Sequence, residues 1–173
     1  KAIGARDYFH LVWGRPVQEE GWEDFKRLAG ECQAAGIRLW LYLVPPSEPP
    51  TPEPFGSDYP RWAVECAVVA KAHPCVAGLC IDDFNGNTDL FTPAYCRKMM
   101  EAGRKIAPNL ALLVVNYFGY YDSMAEHVRK GAIDGVAAAE TLKALHAHGG
   151  RGIQSAIALG VAGAVTALSS FCN

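Results

Sequence analysis

Two adjacent aspartates end an apolar run in the segment LCIDDFNGN, residues 79–87. An unpaired charge is costly to bury, so Asp82 and Asp83 must be solvated, bound to a metal ion or used in chemistry. Two neighbouring carboxyl groups can divide the roles of acid and of base or nucleophile between them. An aspartate at a strand end also commonly begins a turn, and DDFNGN is rich in turn-forming residues. The pair is therefore either a functional site or the start of a turn with a purely structural role.

The elements that position this pair follow from the apolar pattern of the chain. Short apolar runs predict five strands, near residues 8–14, 37–44, 75–81, 110–118 and 133–140. Segments of helical spacing predict four helices between them, near residues 19–36, 60–73, 92–106 and 122–130. The second strand is followed by a long proline-rich loop, residues 45–60, of the kind that is often functional. Serial βα units with nearly continuous apolar strands predict an α/β fold with a parallel sheet.

Two architectures are built from such units, an open doubly wound sheet and a (β/α)8 barrel. No predicted strand is followed by a G-x-G-x-x-G loop, whereas polar residues follow several successive strands, as in barrel sites. A complete barrel needs roughly 250 residues, and this chain has 173. We therefore expect one domain, residues 1–173, forming a partial or truncated (β/α)8 TIM barrel with about five or six βα units. Residues 141–173 are rich in small side chains and predict a helical tail that packs rather than one that spans a membrane.

The carboxyl ends of parallel strands meet on one rim, which is predicted to collect polar and aromatic side chains. These are Trp13, Arg15, Ser47, Glu48, Asp82, Asp83, Asn85, Asn116, Tyr117 and Glu140. Aromatic faces stack on sugar rings, amides bind hydroxyl groups and paired carboxyls cleave glycosidic bonds, so the set is typical of a carbohydrate site. Asp82, Asp83 and Glu140 are the catalytic candidates. The substrate-binding candidates are Trp13, Arg15, Glu48, Asn85, Asn87, Asn116 and Tyr117.

Strand alternation predicts different orientations for the two aspartates. Bulky Leu79 and Ile81 should face the surrounding helices, whereas Cys80 and then Asp82 should face the opposite side. Asp83 would follow the helix-facing set if the strand stayed regular to that residue. The two carboxylates would then have different roles.

Several strings resemble an uncharacterised bacterial family of glycoside-hydrolase-like (β/α)8 barrels. They are LWLYLVPPSEPP, GLCIDDFNGN, FTPAYCRKM and RKIAPNLALLVVNYF, within residues 8–136. The resemblance implies the barrel fold and a rim built around Asp82, Asp83 and Asn87, with the PPSE loop beside it. It implies no particular substrate. After DGV the chain reads AAAE, where the family would be expected to continue with large apolar and aromatic residues.

Three functional hypotheses remain open on these residues. The leading one is a glycoside hydrolase, with Asp82 as nucleophile or base and Asp83 or Glu140 as general acid, a chemistry that needs no cofactor. The second is a magnesium-dependent lyase or isomerase, with Asp82, Asp83 and Glu140 holding the ion. The third is a truncated, inactive barrel fragment that binds carbohydrate and is prone to self-association at its open edges.

Composition argues against several other classes of function. The net charge is −2 and no basic patch is present, so we expect no nucleic-acid partner. The six cysteines form no C-x-x-C pair, and the histidines complete no zinc-ligand spacing, so free buried thiols are expected and no metal. No membrane partner is expected either.

Overall fold

A computed structural model of the chain describes residues 6–14, 21–117 and 121–138. Nearly all of these belong to the first of two compact units, Lys1–Ala137. Arg15, Glu140 and the predicted helical tail, residues 141–173, lie outside the described residues. What the sequence predicts for them therefore stays a prediction.

Five strands form a single sheet, and each pairs with the next in chain order. They are β1 (Asp7–Val12), β2 (Arg38–Leu43), β3 (Val76–Ile81), β4 (Ala111–Asn116) and β5 (Gly135–Ala138). The pairs from β1 to β4 are parallel, with Val12 opposite Leu43 and Leu43 opposite Ile81 near their carboxyl ends. The predicted α/β fold with a parallel sheet is thus confirmed, and every predicted strand is present.

Four helices connect the strands, and their ends follow the signals in the sequence. They are α1 (Trp22–Ala35), α2 (Tyr59–Ala72), α3 (Pro93–Arg104) and α4 (Tyr121–Arg129). Asp58 and Thr92 cap α2 and α3 by accepting hydrogen bonds from the backbone three residues on. Gly36 closes α1 in the left-handed conformation, with φ of 68°. α4 begins at Tyr121, one residue before the predicted start of this helix at 122.

The strand order never reverses within the described part of the chain. A doubly wound sheet has a point at which its strand order turns back, and nucleotides bind there in such folds. Here β1 and β5 are the two edges of the described sheet, which is therefore not closed on itself. Consecutive strands bring their following loops together along one rim.

The sheet buries one face against the helices. Leu41, Leu79, Ile81, Leu112 and Val114 lie in one core cluster with apolar residues of the four helices. Cys80 is buried but lies outside this cluster, as the alternation along β3 requires. The predicted division of β3 into a helix-facing set and an opposite set is therefore confirmed as far as Ile81.

Two further properties of the described residues bear on the chemistry of the protein. No helix among them is both long and apolar enough to cross a membrane. Their five cysteines are all free thiols, four of them buried. Burial raises the pKa of the Cys66 thiol above its ordinary value, so this thiol is protonated at neutral pH.

Candidate functional site

The segment after β3 turns sharply at the second aspartate. Asp82 still belongs to the ladder, since its N–H donates to the Leu43 carbonyl at 2.9 Å. Asp83 has left-handed backbone angles, φ of 37° and ψ of 40°, which aspartate tolerates better than most residues. Its N–H donates to Asp82 Oδ1 at 2.8 Å. The regular strand alternation thus ends before Asp83. The predicted opposite orientation of the two carboxylates required a regular strand as far as Asp83, and this requirement is not met.

The buried side chain of Phe84, which follows the two aspartates, anchors the turn. Phe84 begins a short 3₁₀ turn, Phe84–Asn87, and is fully buried. Its ring stacks on Phe91 at 5.2 Å and meets the edge of His127 at the same distance. Burying a phenylalanine side chain stabilises by about 1.5–3 kcal/mol. Core packing of Phe84 therefore fixes the turn that carries the aspartates.

The proline-rich loop after β2 is held at several points. Tyr59 Oη donates to the Val44 carbonyl at 2.8 Å where the loop leaves the strand, and Trp62 Nε1 donates to the Gly56 carbonyl at 2.9 Å. On its other side the loop lies against Gly14, where an added Cβ would collide with the Thr51 carbonyl oxygen. A long loop fixed in this way can hold a side chain in a defined place at the rim.

Glu48 is held by its backbone within this loop. Its N–H donates to the Pro45 carbonyl at 3.0 Å. Its own carbonyl accepts a hydrogen bond from Trp13 Nε1 at 3.2 Å. Trp13, a predicted sugar-stacking residue, therefore joins the segment after β1 to the loop after β2.

A second connection runs from the loop to the 3₁₀ turn. Asn87 Nδ2 donates to Ser47 Oγ at 2.8 Å and to the Asp83 carbonyl at 2.9 Å. Ser47 Oγ in turn donates to Asp83 Oδ2 at 3.4 Å. Residue 47 thus contacts Asp83 directly, which places Glu48 beside the aspartate pair.

Two tyrosines complete the rim cluster, by which we mean Tyr42, Glu48, Asp82, Asp83 and Tyr117. Tyr117 Oη donates to Asp82 Oδ1 at 3.5 Å, and Tyr117 N donates to Asn85 Oδ1 at 2.9 Å. Burial, and then interaction with the Asp82 carboxylate, raise the pKa of Tyr42 far above its ordinary value. Burial and the carboxylates of Asp82, Asp83 and Glu48 also raise the pKa of Tyr117. Both hydroxyls are therefore protonated at neutral pH and act as donors.

The Glu48 carboxyl has a raised pKa. Burial raises its pKa above the ordinary value, and the nearby carboxylates of Asp82 and Asp83 raise it further. Each of these effects disfavours the charged form. A partly buried carboxyl with a raised pKa is a common feature of acid catalysts, although structural clusters show it too.

The structure brings many of the predicted site residues together. Glu48, Asp82, Asp83 and Tyr117 meet in the rim cluster, with Asn85 and Asn87 supporting it through hydrogen bonds. The side-chain amides of Asn85 and Asn87 form hydrogen bonds with the backbone of Tyr117 and of Asp83, respectively. These two asparagines therefore support the structure of the rim.

Asn116 lies apart from the other predicted residues. It continues the alternation of Leu112 and Val114, which face the helices, and it is 3% exposed. Its Oδ1 has no hydrogen-bond partner. The next residue, Tyr117, is the one whose side chain reaches Asp82.

Tyr42 belongs to the rim cluster but was not among the site residues predicted from the sequence. It lies opposite Cys80 in the register of β2 and β3, on the same face as Asp82. Comparing the side-chain alternation of β2 with that of β3 would have identified Tyr42, because residues at the same level on adjacent parallel strands point to the same face of the sheet.

The described residues contain no group of three or more histidine, cysteine, aspartate or glutamate side chains placed to hold a metal ion. The magnesium hypothesis also includes Glu140, which lies outside the described residues. It remains a prediction.

Comparison with known proteins gives this chain no family. No protein-family model matches it, and no curated protein matches it significantly. The glycoside-hydrolase-like resemblance of the strings around Asp82 therefore stays an expectation, and functional argument depends on the geometry of the rim cluster.

Proposed function

We propose that this protein is a glycoside hydrolase-like domain that cleaves a glycosidic bond at the rim cluster. The observation that carries the proposal is the contact of Asp82 with tyrosine hydroxyls and of Asp83 with the Ser47 hydroxyl at the ends of neighbouring parallel strands. Glu48 lies near enough for both carboxylates to raise its pKa. Most glycosidases use one protonated carboxyl group and one carboxylate, which flank the scissile bond.

The serial strand order supports a barrel origin for this site. Each described strand lies next to its successor, as in a (β/α)8 barrel, and barrel enzymes place their sites on the rim at the strand carboxyl ends. We infer a partial (β/α)8 barrel in which the loops after β2, β3 and β4 supply the site.

The groups of the cluster can be given roles in this chemistry. Asp82 acts as the nucleophile or base, since its carboxylate is surrounded by hydrogen-bond donors. The Tyr117 side chain is 38% exposed and offers an aromatic surface on which a sugar ring can stack.

A substrate screen tests the proposal. The purified chain is incubated with 4-nitrophenyl glycosides of common hexoses and pentoses in both anomeric configurations, and release of 4-nitrophenol is measured. We expect turnover of at least one glycoside. Thermal shifts with the matching free sugars are recorded in parallel. Sugar binding without turnover would replace the hydrolase proposal by an inactive carbohydrate-binding fragment, and absence of both would overturn it.

A further inference from the structure

The sheet face opposite the helices carries a row of aromatic side chains that leads to the rim cluster. Phe9 lies level with Trp40 in the register of β1 and β2. Its ring stacks on Trp40, with the centroids 5.7 Å apart and the planes 8° apart, and its centroid lies 6.5 Å from that of Tyr42. The Tyr42 hydroxyl interacts with the Asp82 carboxylate. One intervening ring therefore joins Phe9 to the proposed active site.

Phe9 presents its ring to solvent. Its side chain is 41% exposed, whereas Trp40 beneath it is buried. Tyr117 is the other large exposed aromatic residue of this row. In the strand order, Phe9 on β1 and Tyr117 after β4 lie on either side of Tyr42 and Asp82. The candidate site is thus flanked by two open aromatic surfaces.

The aromatic platform, by which we mean Phe9 and Trp40, is bordered by fixed polar groups. Trp40 Nε1 donates to Asp7 Oδ1 at 2.8 Å, and Arg38 Nη2 donates to Asp7 Oδ2 at 2.8 Å. The Arg38 side chain is 62% exposed, and a guanidinium has more donors than this ion pair uses. The core of a protein–protein contact is depleted in charged residues. A flat ring edged by charged donors instead suits a sugar, which presents C–H groups on its face and hydroxyl groups at its edge.

The distance between the platform and Asp82 indicates the size of the ligand. Phe9 is level with Trp40 and hence with Gly78 of β3, four residues before Asp82. At about 3.3 Å per residue, the platform lies roughly 13 Å from Asp82 along the strands. A single sugar ring cannot contact both places, whereas a chain of several sugar residues can.

We propose that Phe9 and Trp40 bind a sugar residue remote from the cleavage point, and that the substrate is an oligosaccharide chain. The inference deepens the proposed function and rests on its carbohydrate part. The chain passes Tyr42 between the platform and Asp82. Binding energy from a remote part of a substrate can promote reaction at the cleavage point. Simple glycosides are therefore poor substrates.

Calorimetric titration with sugars of different length tests the platform. The probes are cellotetraose, maltotetraose, xylotetraose and mannotetraose, each compared with its monosaccharide. We expect the wild type to bind at least one tetrasaccharide about 10-fold or more tightly than the monosaccharide. Phe9→Ala should weaken binding of that tetrasaccharide about 5–10-fold and leave binding of the monosaccharide unchanged. Phe9→Tyr keeps the flat ring and should bind as the wild type does.

Tyr8→Ala is the matched control. Tyr8 precedes Phe9 on β1 and is 46% exposed, but strand alternation places it on the opposite face of the sheet. Its replacement should leave both affinities unchanged. Equal losses in Tyr8→Ala and Phe9→Ala would indicate a general disturbance of β1 and overturn the proposal. Reduced self-association of Phe9→Ala in sedimentation, with unchanged sugar affinity, would assign this face to contacts between copies and overturn it as well.

The fate of the hydrolase proposal can be separated from that of the platform. Turnover of glycosides with no preference for longer chains would overturn the platform while the hydrolase function stands. Tetrasaccharide binding that depends on Phe9, without turnover, would support the platform and overturn the hydrolase function. A wild-type chain that neither binds nor cleaves any of these sugars would overturn both.

Discussion

Asn87 Nδ2 donates a hydrogen bond to Ser47 Oγ at 2.8 Å and so joins the 3₁₀ turn after β3 to the loop after β2. The same amide donates to the Asp83 carbonyl. Two segments separated by 40 residues along the chain are thereby held in one arrangement. Because Glu48 follows Ser47 and Asp83 precedes the turn, this hydrogen bond sets the relative position of the carboxyl groups.

Replacement of Ser47 tests this connection. Ser47→Ala removes the acceptor for Asn87 and the donor to Asp83 Oδ2, both at an exposed site. We expect a loss of about 0.5–1.5 kcal/mol in the free energy of unfolding, measured by urea denaturation. We also expect kcat/KM to fall by roughly 10-fold, because a small misplacement of catalytic groups is costly. Ser57→Ala, an exposed serine of the same loop, is the control, and equal effects of the two replacements would contradict the prediction.

The raised pKa of Glu48 predicts how stability depends on pH. A carboxyl group whose pKa is higher in the folded state than in the unfolded state destabilises the fold at pH values where it is ionised in both states. Glu48→Gln removes this penalty, so the variant should melt at a higher temperature than the wild type at pH 7. The difference should shrink as the pH falls below the pKa of the folded state and vanish below about pH 4, where both states bind the proton. A difference independent of pH would contradict the assignment of the raised pKa to this residue.

Gly78 marks the closest approach of β3 to β4. A Cβ at this position would collide with the backbone carbonyl of Ala111, its partner in the register. Gly78→Ala should therefore separate the strands and destabilise by about 1–3 kcal/mol or more, measured by urea denaturation. Gly30→Ala is the control, because a Cβ there has only His73 Cε1 nearby, at 3.9 Å. In the exposed interior of α1 this change should stabilise by about 0.5–1 kcal/mol. Similar effects of the two changes would contradict the account of the β3–β4 packing.

The sheet and its helices could be predicted from the sequence because local signals mark the ends of each element. Asp58 and Thr92 precede prolines at helix starts, and Gly36 ends a helix that would otherwise continue, so the ends lie within a few residues of those expected. Strand alternation also placed Asp82 on the face opposite Leu79 and Ile81. These predictions depend on residues close to one another in the chain.

The parts of the site that were not predicted depend on long-range contacts or on a break in regularity. Asp83 leaves the strand with a positive φ, which alternation cannot anticipate. Asn116 and Tyr117 are adjacent, and only the position of the strand end decides that the tyrosine reaches Asp82. Glu48 was predicted at the rim, but the hydrogen bonds of Trp13 and Ser47 that hold its loop have partners in other βα units and could not be read from local pattern.

The most decisive experiment on the proposed active site compares glycoside hydrolysis by Asp82→Asn and by Asp89→Asn. Asp89 is exposed beside the same turn, so both changes remove one negative charge from the same region. On the glycoside that the wild type cleaves, we expect kcat/KM to fall at least about 10²-fold in Asp82→Asn, with an unchanged melting transition, and to be unaltered in Asp89→Asn. Full activity of folded Asp82→Asn would contradict the claim that the rim cluster is the active site.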